Sequence, residues 1–320
     1  MGAAGLDSAA VAPPEAPHSI AYLFPITFCS GIVLISLGPV LDPIIRDLDV
    51  PLSQGGTLAT GFAAGRILAL LVLNLFLARV PLKWLVVGAA LLQAVGFAVP
   101  AFFAQGLGLV VGSLVVVGAA ATIPIVVPVI WIGAYAKRAT ERAMLLILIF
   151  FALGVVISPL AIGGALALGA GWRWVFLGQA AFSVVMALAI AALPLADAPG
   201  RVNIRLRQFR EAVTWAPGLL AVMLVAMFFY IGAEHILNIW LAEFQVETFG
   251  SSQGAAAVAL GLFFGGMMMG RLASVRLTRR LGASRILAVS SGLMAVFIVV
   301  TAFAPSFAAS EVCIFLVGVG

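Results

Sequence analysis

The sequence predicts an all-α, polytopic membrane protein that crosses a lipid bilayer nine times, and three observations carry this. Hydrophobic residues make up 64% of the 320, charged residues only 9%, and the mean hydropathy is +1.22. Soluble domains hold about 45–50% apolar and about 25% charged residues, so this chain has more apolar surface than a water-bound core can hide. Apolar runs of the length that covers ~30 Å of hydrocarbon as a helix recur from residue 20 to residue 306. Finally, the basic residues sit in alternate connections between those runs.

Taken in order, residues 1–19, "MGAAGLDSAAVAPPEAPHS", are rich in Ala and Pro and lack Lys and Arg. They read as a disordered cytoplasmic tail, not the basic start of a signal peptide, and the longer run behind them reads as a retained helix. Spans are predicted at 20–41, 55–78, 84–104, 107–132, 143–168 and 173–195. A polar break, "ADAPGRVNIRLRQFREAVTW" over 196–215, combines Pro, Gly and four arginines and reads as a cytoplasmic linker, its "RLRQFREAV" as a short surface helix. Three further spans follow at 216–242, 254–275 and 285–306. A tenth begins at Glu311 and the sequence stops at Gly320, so the chain reads as truncated at its C-terminus. The expected domains are thus an N-terminal bundle over 20–195, the linker 196–215, and a partial C-terminal bundle over 216–320 with three full helices and the start of a fourth.

Charge sets the expected orientation. Thirteen of the 17 Lys and Arg fall in alternate connections: Arg79 and Lys83; Lys137, Arg138 and Arg142; Arg201, Arg205, Arg207 and Arg210; Arg276, Arg279, Arg280 and Arg285. The intervening connections hold Arg46 and Arg173 and lean acidic, with Asp42, Asp47, Asp49, Glu243 and Glu247. By the positive-inside rule the basic loops and the N-terminus are cytoplasmic, in the cell (inner, plasma) membrane. The formal charge of +5 does not point to nucleic acid, because the bases lie between apolar runs and not on one soluble face. Cys29 and Cys313 fall inside apolar runs, where a thiol behaves as a small hydrophobe, so neither metal nor cofactor is expected.

The two halves share a faint repeat. "SQGG…GR", from Ser53 to Arg66, leads into the second span, and "SQGA…GR", from Ser252 to Arg271, into the eighth; the alignment needs a gap. Repeats of this kind are common in secondary transporters, whose sites lie near the midplane between repeats. The connection "LTRRLGASRIL" (277–287) carries Leu277, Arg280, Gly282 and Arg285, and "LNLFLARVPLKWLVV" (73–87) is a degraded copy with Ala78 and Pro81. "GVVISPLAIGG" (154–164) places Ser158 before Pro159, and "GWRWVFL" (171–177) opens the sixth span. With these motifs the chain resembles the major facilitator superfamily (MFS). The resemblance implies two six-helix bundles rocking about a central site, here one complete and one incomplete, with Arg79, Lys83, Arg280, Gly282 and Arg285 in gating loops.

Ionisable groups inside spans are the informative positions, because a charge at a helix centre costs about 2.5–3.5 kcal/mol on insertion scales and turns toward a cavity or a partner. Arg66 lies mid-span in "TLATGFAAGRILALLVLNLFL". It has two readings, a cavity cation for an anionic or carbonyl-bearing solute, or a buried Arg that ties neighbouring helices together. In "FFYIGAEHILNIW", Tyr230, Glu234 and Asn238 recur every four residues along one helix face. Glu234 is the expected proton carrier, since hydrocarbon tolerates the neutral form of a carboxyl. His235 points about 100° away and reads as a packed residue, while Trp240 is a substrate wall or an interfacial anchor. Arg271 reads as snorkelling to the basic interface, Asp42 as a solvated cap, and "GGMMMG" as plastic packing.

These residues point to a secondary active transporter of a small polar or anionic solute, working as a monomer by alternating access with proton coupling. An intramembrane enzyme needs a catalytic set at bilayer depth, such as paired carboxylates or a His with a nucleophile, and none is recognisable there. A non-transporting or truncated scaffold is the other alternative.

Overall fold

The computed structural model describes residues 20–77, 79–135, 140–195, 214 and 217–320. The tail 1–19, Ala78, Lys137, Arg138 and nearly all of the linker with its surface helix lie outside the described residues. Among those described there are eleven α-helices: α1 Leu23–Leu34, α2 Leu41–Asp47, α3 Leu52–Leu77, α4 Leu82–Phe103, α5 Leu107–Tyr135, α6 Thr140–Ala167, α7 Trp172–Ala192, α8 Pro217–Phe249, α9 Gln253–Leu281, α10 Ala283–Ala302 and α11 Phe307–Val319. Among the described residues nine spans are long and apolar enough to cross a membrane, α1 and α2 together forming the first.

That first span departs from the expected single helix over 20–41. The α-helix ends at Leu34, a 3-10 turn follows at Gly38–Val40, and α2 resumes at Leu41. Pro39 explains the break, because it lacks an N–H and its ring clashes with the preceding turn. The break also lets the backbone of Gly38 meet the Asn238 carbonyl of α8 so closely that a Cβ would not fit. A second proline effect leaves a carbonyl without its helical donor, and Ser30, which donates to the Ile26 carbonyl at 2.7 Å, stands near it. Pro128 of α5 cannot donate to the Pro124 carbonyl, and Ser30 Oγ of α1 lies 3.2 Å from that oxygen.

The main helix pairings are α3 on α5, α4 on α7, α1 on α6, and α9 on both α6 and α11. Between lipid-embedded helices, small residues permit the close backbone approach that replaces the hydrophobic drive. On α3 and α5, a Cβ at Gly65 would strike the Val115 carbonyl, and one at Gly118 the Phe62 carbonyl. On α9 and α11 the same lattice returns: Gly266 faces Phe315 and Gly318 faces Phe263. The internal repeat therefore pairs Phe62 and Gly65 with Phe263 and Gly266. Arg66 then corresponds in register to Met267, so the two Gly-Arg pairs of the sequence are not equivalent positions.

The first six spans meet the later helices at the acidic-loop end. Gly163 of α6 contacts Gly254 and Ala257 of α9, Gly38 contacts α8, and Trp240 lies beside Gly55 and Gly56 at the start of α3. At the basic-loop end, residues 221–231 of α8 are exposed.

Candidate functional site

Among the described residues a single polar contact links α3 to α8. Arg66 Nη1 lies 3.0 Å from His235 Nε2, so the guanidinium that no single helix could satisfy finds its partner across the two parts of the chain. A guanidinium only donates, so Nε2 accepts, the ring is neutral and its proton sits on Nδ1. That Nδ1 is sealed from solvent and has no partner among the described residues. Arg66 is thus held by another helix, and His235, expected as simple packing, is what holds it.

Glu234, one position earlier, faces the other way round α8. It is hydrogen-bonded to Tyr230 one turn before it, and Arg271 of α9 stands against both. Arg271, expected to snorkel, is exposed and also reaches a carboxyl and a phenol. Arg66 also lies within the field of Glu234, which links the two clusters. A cavity of about 80 Å³ is lined by Tyr230, Glu234, Met267, Arg271 and Ser274. A second, of about 30 Å³, brings Glu234 and Arg271 to Leu34, Phe151 and Met268. Two clusters thus flank α8, Arg66 with His235 on one side and Glu234, Tyr230 and Arg271 on the other, and Glu234 and Arg271 of the second line both cavities. The set can hold an anionic or carbonyl-bearing group by charge-assisted hydrogen bonds and keep a carboxyl in reach of a proton.

Asn238 and Trp240 are placed elsewhere. Asn238 is buried against the break in the first span, with its Oδ1 unpartnered among the described residues. The Trp240 ring packs beside Gly55 and Gly56 toward the acidic-loop end, where it closes the join. Of the expected gating residues, Lys83 donates to the Leu193 carbonyl at 2.7 Å, tying the start of α4 to the end of α7. Arg79, Arg280 and Arg285 are exposed. Gly282 separates α9 from α10 at φ 83° and ψ 152°, a conformation open essentially to glycine alone.

A further polar cluster at the acidic-loop end was not singled out by residue type. Asp42, expected as a solvated cap, is buried and accepts from Arg46 and Gln253 at 2.6 and 2.7 Å. Arg46 also reaches Glu247 at 3.5 Å. Nearby, Asp47 accepts from Trp172 Nε1 at 3.0 Å and pairs with Arg173. The available signal was the spacing of Asp42 and Arg46, four apart, opposite an acidic end of α8. Among the described residues no cluster of His, Cys, Asp and Glu could hold a metal ion.

The family model of the Major Facilitator Superfamily matches residues 23–320. The chain belongs to the Major Facilitator Superfamily. Its fold is similar to that of a bacterial homolog of the human lysosomal transporter Spinster in an inward-facing, unoccupied conformation, with TM-score 0.70 and 18% identity over 96% of this chain and 73% of that one. It is also similar to the nucleoside transporter NupG, with TM-score 0.73 and 13% identity over 94% of this chain and 79% of that one. The E. coli fucose:proton symporter FucP gives TM-score 0.62 and 16% identity over 94% and 80% respectively. No curated protein sequence matches the chain.

Proposed function

We propose that this MFS chain is a secondary active transporter, not an enzyme, that moves a small anionic solute through alternating access with a coupled proton. The observation that carries the reading is the Arg66–His235 bond beside the Glu234–Tyr230–Arg271 cluster, since two arginines against one carboxyl leave a positive surplus at the join. Arg66 and Tyr230 contact the solute and Glu234 carries the proton, while Asn238 and Trp240, placed toward the acidic-loop end, pack the join and do not contact the solute. Tyr230 can hydrogen-bond Glu234 in either protonation state, which lets the carboxyl cycle without stranding a charge. The basic loops and the N-terminus face the cytoplasm, the two groups of helices rock as separate bundles, and the chain works as a monomer. Packing at the acidic-loop end, with α8 exposed at the basic-loop end, supports a resting state open to the cytoplasm. The inward-facing Spinster homolog has the same fold.

The test is uptake into proteoliposomes, screening radiolabelled organic anions with and without a pH gradient. Glu234→Gln, which mimics the protonated carboxyl, keeps exchange between equal solute pools and loses accumulation driven by the gradient. Unchanged pH-driven accumulation in that variant would remove Glu234 as the carrier. Arg66→Ala abolishes uptake with expression near normal; loss of folded protein instead would make Arg66 a purely structural tie.

A further inference from the structure

The acidic-loop end holds a titratable pair that the central site does not use. Asp42 of α2 is buried, and its carboxylate is fully engaged: Arg46 Nε donates to Oδ1 at 2.6 Å and Gln253 Nε2 to Oδ2 at 2.7 Å. Glu243 of α8 is also buried, at 6% exposure, and its carboxyl stands within hydrogen-bonding reach of Asp42. Its Oε2 is enclosed and receives no donor from any described residue. The other charged groups facing Glu243 are Arg46 from α2 and Glu247, one turn further along α8; α9 contributes the neutral Gln253. Arg46 bonds Asp42, reaches toward Glu247 and acts on Glu243 only through its field, and Asp42 and Glu243 are both buried.

Two carboxylates have no hydrogen between them, so a contact of this kind holds only when one member carries a proton. Asp42, with a cation and an amide donating to it, is the ionised member. Glu243, with an enclosed oxygen and no donor, is the member that carries the proton and donates it to Asp42. The pair also spans the join, because Asp42 belongs to the first span and Glu243 to the seventh. It lies at the end where Gly38 meets Asn238 and Gly163 meets Gly254.

We propose that Asp42 and Glu243 form a second proton-binding site, distinct from Glu234, that latches the acidic-loop end shut while a single proton bridges them. When the proton leaves Glu243 for the water on that side, two buried carboxylates stand near each other across the join, and Arg46 is already bonded to Asp42. Their repulsion parts the first span from the seventh. The latch deepens the transport reading by assigning proton control of one gate, yet its test needs no solute.

Spin labels at Ser53→Cys and Ser252→Cys, both exposed and on opposite sides of the join, report the gate distance by pulsed dipolar spectroscopy in nanodiscs with Cys29 and Cys313 replaced by Ser. Raising the pH shifts the wild-type distribution to longer distances. Glu243→Gln, a permanent donor to Asp42, stays short at every pH, and Asp42→Asn, which leaves Glu243 facing no anion, also loses the pH response. Glu234→Gln keeps the wild-type response, which separates this proposal from the assignment of Glu234 as carrier. A wild-type distance that ignores pH would overturn the latch. So would a pH response retained in Glu243→Gln, or in Asp42→Asn should the first variant fail to fold.

Discussion

Removing the Arg66–His235 bond is expected to loosen the closed state measurably, and the size of the effect follows from its geometry. The contact is 3.0 Å long, part-buried, and joins a cationic donor to a neutral acceptor. Hydrogen bonds to charged groups contribute about 1.5–3 kcal/mol, and partial burial places this one near the low end, about 1.5–2 kcal/mol. That corresponds to roughly 10–30-fold in the equilibrium between closed and open acidic-loop ends. The perturbation is a cycle of Arg66→Met, His235→Leu and the double variant, read as the closed fraction from the distance between labels at Ser53→Cys and Ser252→Cys. Each single variant should lower the closed-to-open ratio by about an order of magnitude, and the double variant should go little further than either. Single effects that simply add, within about 0.5 kcal/mol, would show that the two side chains do not act on each other in the membrane and would refute the reasoning.

Orientation is checked by Arg276→Cys, exposed in the basic connection after the eighth span. An impermeant maleimide should label it in inverted vesicles and not in intact cells, and labelling from outside would reverse the topology. Helix spacing is checked by Gly65→Leu against Gly88→Leu. The first drives a side chain into the Val115 carbonyl and should cost about 1–3 kcal/mol, seen as a lower melting temperature in detergent. The second meets nothing within 4 Å and should be near neutral; equal effects would show that the α3–α5 approach is not tight.

Helix positions were legible in the sequence because bilayer thickness imposes a length that apolar runs must meet, and this chain has few charges to blur their edges. The break in the first span was harder to read. Hydropathy counts apolar side chains and passes through "ISLGPVL" without pause, although Pro39 carried the backbone signal. The depth of Arg66 and Glu234 was readable too, since it depends only on distance along a helix. Their partners were not. His235 was correctly read as pointing away from Glu234, but what it points at lies 169 residues earlier.

The same divide runs through the rest of the molecule. The membrane class, the helices long and apolar enough to cross, the alternation of basic and acidic connections and the residues expensive in lipid were all readable from the chain alone. Each of these is a property of local composition measured against a fixed solvent. Three-dimensional packing was needed to bring Arg271 beside Glu234 and to bury Asp42 near Glu243. It also set the repeat register by Phe62 and Phe263 under their glycines, not by the Gly-Arg pairs. A charged side chain in a bilayer takes whichever partner the neighbouring helices bring within hydrogen-bonding distance, and helix neighbours are fixed by backbone close-packing at glycines far apart in the chain.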